Sequence, residues 1–417
     1  MTTKEIFAER IDRIMHQFID NKEISACSLI VRKNGQEIYR GKWGFADVVK
    51  KTPVAYDTLF RLASMTKLVT AIAVMQLVEQ NHLSLDAPIT DFLPGFQNQR
   101  VYAKYIYPNG EYVPDERFPA GLNPDQLLAI GLSLPTVAAE RAVTIRDLLS
   151  HSSGMGQGLL GTNFLMNHTF TQDKLADRVK LWEQLPLDFQ PGTQTGYSAI
   201  VGFDILGRIV EIVSGLDLDQ YFKRFIFEPL QIKDLCFIPN ENQTKRLAVM
   251  YHCEHGNYYT GPSVELIPSL TWLQNTSDAR FAGYFAGSSG LFGTVEGYDR
   301  ITTMLANEGQ LDGVRILKKE TVALLHTEAA AKHMEPLSVK APGCAWGLGF
   351  VIFQEPEKIP AYVNPGTFGW SGHYGTHMFV DPKTKISATF MMNNYNGLGS
   401  MSPIARKLEE LIFKILG

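Results

Sequence analysis

The chain has 417 residues, 45% of them hydrophobic and 20% charged, enough for two domains of ordinary size with real cores. Its formal net charge is -4, so no basic field is available to attract nucleic acid or an anionic membrane surface, and small uncharged or mildly polar molecules are the expected partners. Met1 to Phe7 runs into a charged amphipathic pattern without the apolar core of a secretory signal. No window near 18 residues is apolar throughout, so a cytoplasmic protein without a membrane span is expected. The cysteines Cys27, Cys236, Cys253 and Cys344 are scattered without a CxxC, which points to free thiols rather than a disulfide framework or zinc knuckle.

Residues 4–20 repeat apolar positions at Ile6, Ile11, Ile14, Met15 and Phe18, predicting an amphipathic helix. Ser28 to Lys33 and Gln36 to Arg40 are strand-like runs joined by Asn34-Gly35, a strong hairpin signal. Next comes Ser64-Met65-Thr66-Lys67, where the three-residue spacing lets the lysine ammonium reach the serine hydroxyl on one helical face. Chance supplies such a motif about once in a chain of this size, so the context must carry the argument. Leu68, Ala71, Met75 and Val78 continue at helical spacing, predicting a helix that buries one face and carries Ser64 in its first turn, at the positive end of the helix dipole.

The middle of the chain, about 64 to 285, is dominated by helical patterns such as Val201 to Val213 and Leu218 to Phe227, with long loops at roughly 92–140 and 155–190. Tyr102, Tyr105, Tyr107, Tyr112 and Phe118 lie in the first of these, which could shape a pocket or elaborate the surface. Pro191-Gly192-Thr193-Gln194-Thr195-Gly196-Tyr197-Ser198 is a turn-rich approach that delivers Tyr197 to the start of a helix from about 199. A phenol serves as a base only when a neighbouring cation such as Lys67 favours its anion. In Gly369-Trp370-Ser371-Gly372-His373-Tyr374-Gly375 the glycines let a strand edge approach a ligand closely, as an oxyanion site requires.

Thr376 to Val380 and Ile386 to Met392 then read as strands joined by the turn Asp381-Pro382-Lys383-Thr384. Ser402 caps a last helix with Pro403 at its first position and Ile404, Leu408, Leu411, Ile412 and Ile415 on one face. Helix and antiparallel strands at both ends predict an α/β (α+β) architecture. An antiparallel sheet from residues 1–63 and 286–417 is flanked by the terminal helices, a mostly helical domain of residues 64–285 is inserted, and the active site lies between them.

Together, an S-x-x-K, a tyrosine after a P-G-x-x-x-x-Y turn and a strand bearing W-x-G resemble the serine β-lactamase and penicillin-binding-protein superfamily, in its class C-like branch. Leu148-Leu149-Ser150-His151-Ser152-Ser153-Gly154, Ser289-Gly290-Leu291-Phe292-Gly293-Thr294 and Trp346-Gly347-Leu348-Gly349-Phe350 are similar to stretches of that family in the same order. The resemblance implies Ser64 as the acylated nucleophile, Lys67 as its partner and Tyr197 as general base and later acid. It also implies an oxyanion hole from the backbone amides of Ser64 and His373, and substrate contacts from Trp370, Ser371 and Gly372. No cofactor or metal is implied.

Two departures bear on the substrate. The third motif of β-lactamases and most DD-peptidases opens with Lys, or sometimes His, where this chain has Trp370; and Tyr197-Ser198-Ala199 lacks the usual asparagine two residues after the tyrosine. An indole offers apolar surface and one N–H donor, so an anionic substrate loses its obvious partner. Tryptophan at this place is similar to the family VIII carboxylesterases. The expectation is an acyl-enzyme carboxylesterase on small uncharged esters. The alternatives are a D-aminopeptidase-like or DD-peptidase-like hydrolase, a weak β-lactamase, or a catalytically silent homologue that binds acyl or peptidoglycan-like ligands. Hydrolase versus acyltransferase, acyl chain length and oligomeric state are left open.

Competing machinery is weaker. No G-x-S-x-G elbow occurs, Ser277-Asp278-Ala279 lacks the asparagine of an S-D-N, and His252-Cys253-Glu254-His255 lacks a second ligand pair and reads as surface. His151 is expected to satisfy backbone carbonyls near a helix end.

Overall fold

The computed structural model describes residues 3–102, 135–157, 174–254, 256–260, 284–327, 330, 335–336, 342–394, 399 and 402–417. Tyr105, Tyr107, Tyr112, Phe118, His255 and Ser277-Asp278-Ala279, with most of the first long loop and residues 158–173 of the second, lie outside these residues.

The amphipathic N-terminal pattern forms α1 (Thr3–Asp20), with Phe7, Ile11 and Met15 buried. The hairpin forms as β1 (Ala26–Lys33) and β2 (Gln36–Asp47); Asn34 and Gly35 hold φ of 54° and 74°, the left-handed pair that such a turn requires. β3 (Thr52–Pro53), β4 (Cys344–Trp346), β5 (Val351–Phe353), β6 (Phe368–Ser371), β7 (His377–Asp381) and β8 (Ile386–Met392) complete an eight-stranded sheet of order β4-β5-β6-β7-β8-β1-β2-β3. Neighbouring strands are antiparallel throughout, and residues 27–33 pair with 392–386, which places the two ends of the chain in the middle of one sheet.

Both faces of this sheet are covered, and its strands alternate between two cores with period two. Cys27, Leu29 and Val31 of β1 and Phe390 of β8 pack with α1 and with α6 (Pro403–Leu416), the helix capped by Ser402 as expected. Ile30, Met391, Met378, Phe368 and Trp370 belong to the opposite core, which continues into the rest of the molecule. There α5 (Val295–Ala306) lies against the sheet, tied by Thr389 to Thr302 (2.8 Å) and by Arg32 to the buried Asp299 (2.6 Å).

The middle of the chain supplies α2 (Thr66–Glu79), α3 (Ile145–Leu149) and α4 (Val201–Ser214), together with short strands that helical periodicity did not announce. Residues 60–61, 292–293 and 235–236 form a three-stranded sheet, and 251–254 pairs with 257–260. His252, Cys253 and Glu254 of the cluster thus enter a strand in which Cys253 is buried, contrary to the surface reading, with its thiol 3.3 Å from Asn394 Oδ1. All four cysteines are free. Among the described residues no group of side chains could hold a metal ion, and no helix is long and apolar enough to cross a membrane.

Helix α2 departs from the one-sided burial expected of it. Every residue from Thr66 to Leu77 is buried, and Ser64 stands before the helix, in a single 3-10 turn (Ala63–Met65) that leads into it.

Candidate active site

The turn bearing Ser64 is fixed from several directions. Leu62 N–H donates to Leu291 O (3.0 Å), Tyr298 hydroxyl to Met65 O (2.7 Å), and Leu291 N–H to Thr66 Oγ1 (3.1 Å). Ala63 holds φ 45°, a left-handed conformation that costs a residue with a Cβ about 1–2 kcal/mol. Ser64 is half-buried.

Lys67, one turn on, has no solvent exposure. Its Nζ donates to Ala199 O at 2.7 Å, to Ser288 O at 2.9 Å and to Ser64 Oγ at 3.3 Å. Two of these acceptors are carbonyls that can only accept, so the three hydrogens of an ammonium account for all three contacts.

Tyr197 reaches the same serine from the other side, its hydroxyl donating to Ser64 Oγ at 2.7 Å. The loop before α4 is stapled to the end of α3. Gly196 N–H donates to His151 O (2.9 Å), Ser198 N–H to His151 Nδ1 (3.1 Å), and Gln157 Nε2 to both His151 O (2.8 Å) and Gly196 O. His151 thus binds a backbone amide through its ring, where a bond to carbonyls was expected, and among the described residues its Nε2 has no hydrogen-bond partner. Burial, and then the charge of Lys67, hold its imidazole well below the usual range, so it is neutral.

The third motif meets the turn bearing Ser64 through Gly372. A Cβ there would lie 2.2 Å from Leu62 O, so only glycine permits this close approach of the two backbones. Thr376 hydroxyl donates to Leu62 O (3.1 Å) and Gly372 N–H to Thr376 O (2.7 Å), closing this turn. Trp370 and Ser371 point to opposite faces of β6. The indole of Trp370 lies 5.2 Å from the Tyr197 ring and 4.9 Å from Trp346, with its buried N–H unpartnered among the described residues. The Ser371 hydroxyl instead lies 2.7 Å from His377 Nδ1, whose Nε2 lies 2.7 Å from Glu409 of α6. Of the three residues expected to meet substrate, Trp370 lies on the same side as Tyr197, Gly372 contributes closeness of backbone, and the Ser371 side chain is committed to the far face.

Sequence reasoning missed the partners of Lys67 and the full aromatic wall. Trp346, noted only within a recurrent stretch, stacks on Tyr197 at 5.8 Å with an interplanar angle of 7°, and lies 4.2 Å from the His151 ring. The available signal was that Ser289-Gly290 and Trp346-Gly347 open two of the stretches similar to the serine β-lactamase and penicillin-binding-protein superfamily.

A serine hydroxyl between a buried ammonium and a phenol, at the edge of an antiparallel sheet, is the apparatus of a serine hydrolase. The chain belongs to the beta-lactamase family, whose model, described as Beta-lactamase, matches residues 11–410. It is similar to Esterase EstB of Burkholderia gladioli, with 28% identity over 95% of this chain and 93% of that protein. It is also similar to a putative D-alanyl-D-alanine carboxypeptidase of Escherichia coli (strain K12), with 26% identity over 92% of this chain and 81% of the other. Among solved structures, EstCE1, a hydrolase with promiscuous acyltransferase activity, shares its fold, with a TM-score of 0.76 and 24% identity over 99% of both chains.

Proposed function

We propose that this protein is a carboxylesterase that cleaves small uncharged esters through an acyl-enzyme on Ser64. The observation that carries this reading is Trp370 standing against Tyr197, where a lysine would serve an anionic substrate. Similarity to a protein named an esterase supports it.

In the first step Ser64 Oγ attacks the ester carbonyl carbon while Tyr197, as its phenolate, takes the hydroxyl proton. The Lys67 ammonium favours that anion and the nascent alkoxide. The amides of Ser64 and His373 hold the oxyanion. When the C–O bond breaks, the alkoxide leaves with the proton from Tyr197, and Ser64 keeps the acyl group. Water then attacks that ester, gives its proton to Tyr197, and the acid departs as Ser64 recovers the proton. An alcohol in place of water would make the same sequence an acyl transfer.

In this reading the pocket lies between a sheet-bearing unit of residues 1–63 and 286–417 and an inserted helical unit of 64–285. Four free cysteines support a reducing, cytoplasmic setting. The second reading, a hydrolase of D-alanyl peptides, draws on the putative carboxypeptidase relative.

A fluorophosphonate should label the wild type and not Ser64→Ala, and p-nitrophenyl esters, a chromogenic cephalosporin and D-alanyl p-nitroanilides should be compared as substrates. Preference for the esters supports the esterase. Robust turnover of the anilide or cephalosporin with negligible esterase activity overturns it.

A further inference from the structure

Helix α4 carries one carboxylate within the apolar run Val201-Gly202-Phe203-Asp204-Ile205-Leu206, and Asp204 has no solvent exposure. A carboxylate withdrawn from water is costly unless donors and a cation compensate it. Asp204 has both. Its Oδ1 accepts the Ser288 N–H at 2.8 Å and its Oδ2 the hydroxyl of Tyr284. Ser288 is also the residue whose carbonyl accepts from Lys67 Nζ at 2.9 Å. One residue therefore joins a buried anion, through its N–H, to a buried cation, through its C=O.

Other charged and titratable groups face this arrangement. Arg178, also buried, stands 4.6 Å from the ring of Tyr284, the residue whose hydroxyl Asp204 accepts. Tyr197 and the neutral His151 lie beyond Lys67. Burial raises the Asp204 pKa, while the bonds from Tyr284 and Ser288 and the charge of Lys67 act to lower it.

The geometry points to Asp204 as a positioning residue of the reaction: a buried counter-charge to Lys67 that holds Ser288 so that its carbonyl fixes the ammonium beneath Ser64. This assignment rests on the reading of Ser64, Lys67 and Tyr197 as the reacting groups. Asp204 touches no substrate. A buried negative charge this close to the reacting groups opposes the release of protons there, so its loss should shift the pH limbs of activity toward acid.

The test is the pH dependence of kcat/KM for p-nitrophenyl acetate in wild type and Asp204→Asn, which keeps the shape and removes the charge. The expected result is a fall in kcat of about tenfold or more at neutral pH with KM changed less than about threefold, and both limbs moved toward acid by about half a unit or more. A side chain that only supports the fold would lower activity at every pH and leave the limbs in place, and that result overturns the assignment. Tyr284→Phe is the second variant. It removes one donor from the same carboxylate, which then takes up its proton at higher pH, so the acid limb should move toward acid as in Asp204→Asn while the alkaline limb stays; limbs unmoved in this variant also overturn the assignment, even where Asp204→Asn does not fold. Fluorophosphonate labelling of the wild type in parallel separates the two claims: an unlabelled wild type sinks the reading of the site itself, whereas a labelled enzyme with unmoved limbs sinks only Asp204.

Discussion

The hydroxyls of Tyr197 and Ser64 are 2.7 Å apart across 133 positions of sequence, and no intervening group separates them. Tyr197→Phe removes the only oxygen of that ring while keeping its contacts with Trp346 and Trp370. We expect kcat to fall by about 10²–10⁴ with KM changed only a few-fold, since proton transfer is lost and binding is not. Steady-state kinetics on a p-nitrophenyl ester decides this, and retention of kcat would remove Tyr197 from the proton path.

Trp370 sets a second expectation. Trp370→Lys should raise the ratio of kcat/KM for a carboxylate-bearing ester over its neutral analogue by about tenfold, because a buried cation pairs with the new charge and the apolar wall is lost. Competition between the two esters in one reaction measures the ratio directly. An unchanged ratio would show that Trp370 does not govern this selectivity.

At Ala63 the backbone itself is the object of the test. The residue is 3% exposed and left-handed, so Ala63→Val adds a branched side chain both to a disfavoured φ and to a filled space. A loss of about 2–4 kcal/mol in denaturant unfolding and a displaced Ser64 are expected, whereas Ala63→Gly should fold at least as well as wild type.

The buried carboxylate of Glu409 lies under the sheet, where burial acts to raise its pKa but the His377 hydrogen bond and the Arg406 charge prevail and hold it below the usual glutamate value. A depressed folded-state pKa contributes stability that is complete above the unfolded value, near 4.5, and is lost as pH falls through the folded one. Glu409→Gln should therefore be destabilised by about 2–4 kcal/mol at neutral pH, with the gap to wild type narrowing as both are acidified below that range. Thermal unfolding from pH 7 down to pH 3 follows this, and a constant gap would contradict it.

What could be read in advance divides by the distance over which its cause acts. Asn34-Gly35 and Ser402-Pro403 announce a hairpin and a helix start because their chemistry lies within two residues of the backbone they shape. The spacing of Leu68, Ala71, Met75 and Val78 predicts burial of one face of helix α2; yet on the other face Thr70 donates to Gly287 O at 2.7 Å and Gln76 to Phe225 O at 3.0 Å, partners more than a hundred residues away. At the site, Ser64, Lys67 and Tyr197 stood out as a family pattern. Trp346, Ser288 and Asp204 did not, since each matters only through what the fold brings against it, and the turn of Ser371 to His377 follows from a strand register that no motif encodes.

The pairing of residues 27–33 with 392–386 has a consequence for how the molecule is made. Translation releases β1 and β2 by Asp47, while β8 begins only at Ile386, roughly tens of seconds later at ordinary rates of synthesis. Throughout that interval the inner edge of β1, carrying Cys27, Leu29 and Val31, has no neighbour, and an open apolar edge is a template for association between nascent chains. Yield in the cell should thus depend on how quickly ribosomes finish the message and on holdase capacity, more than on the stability of the finished sheet.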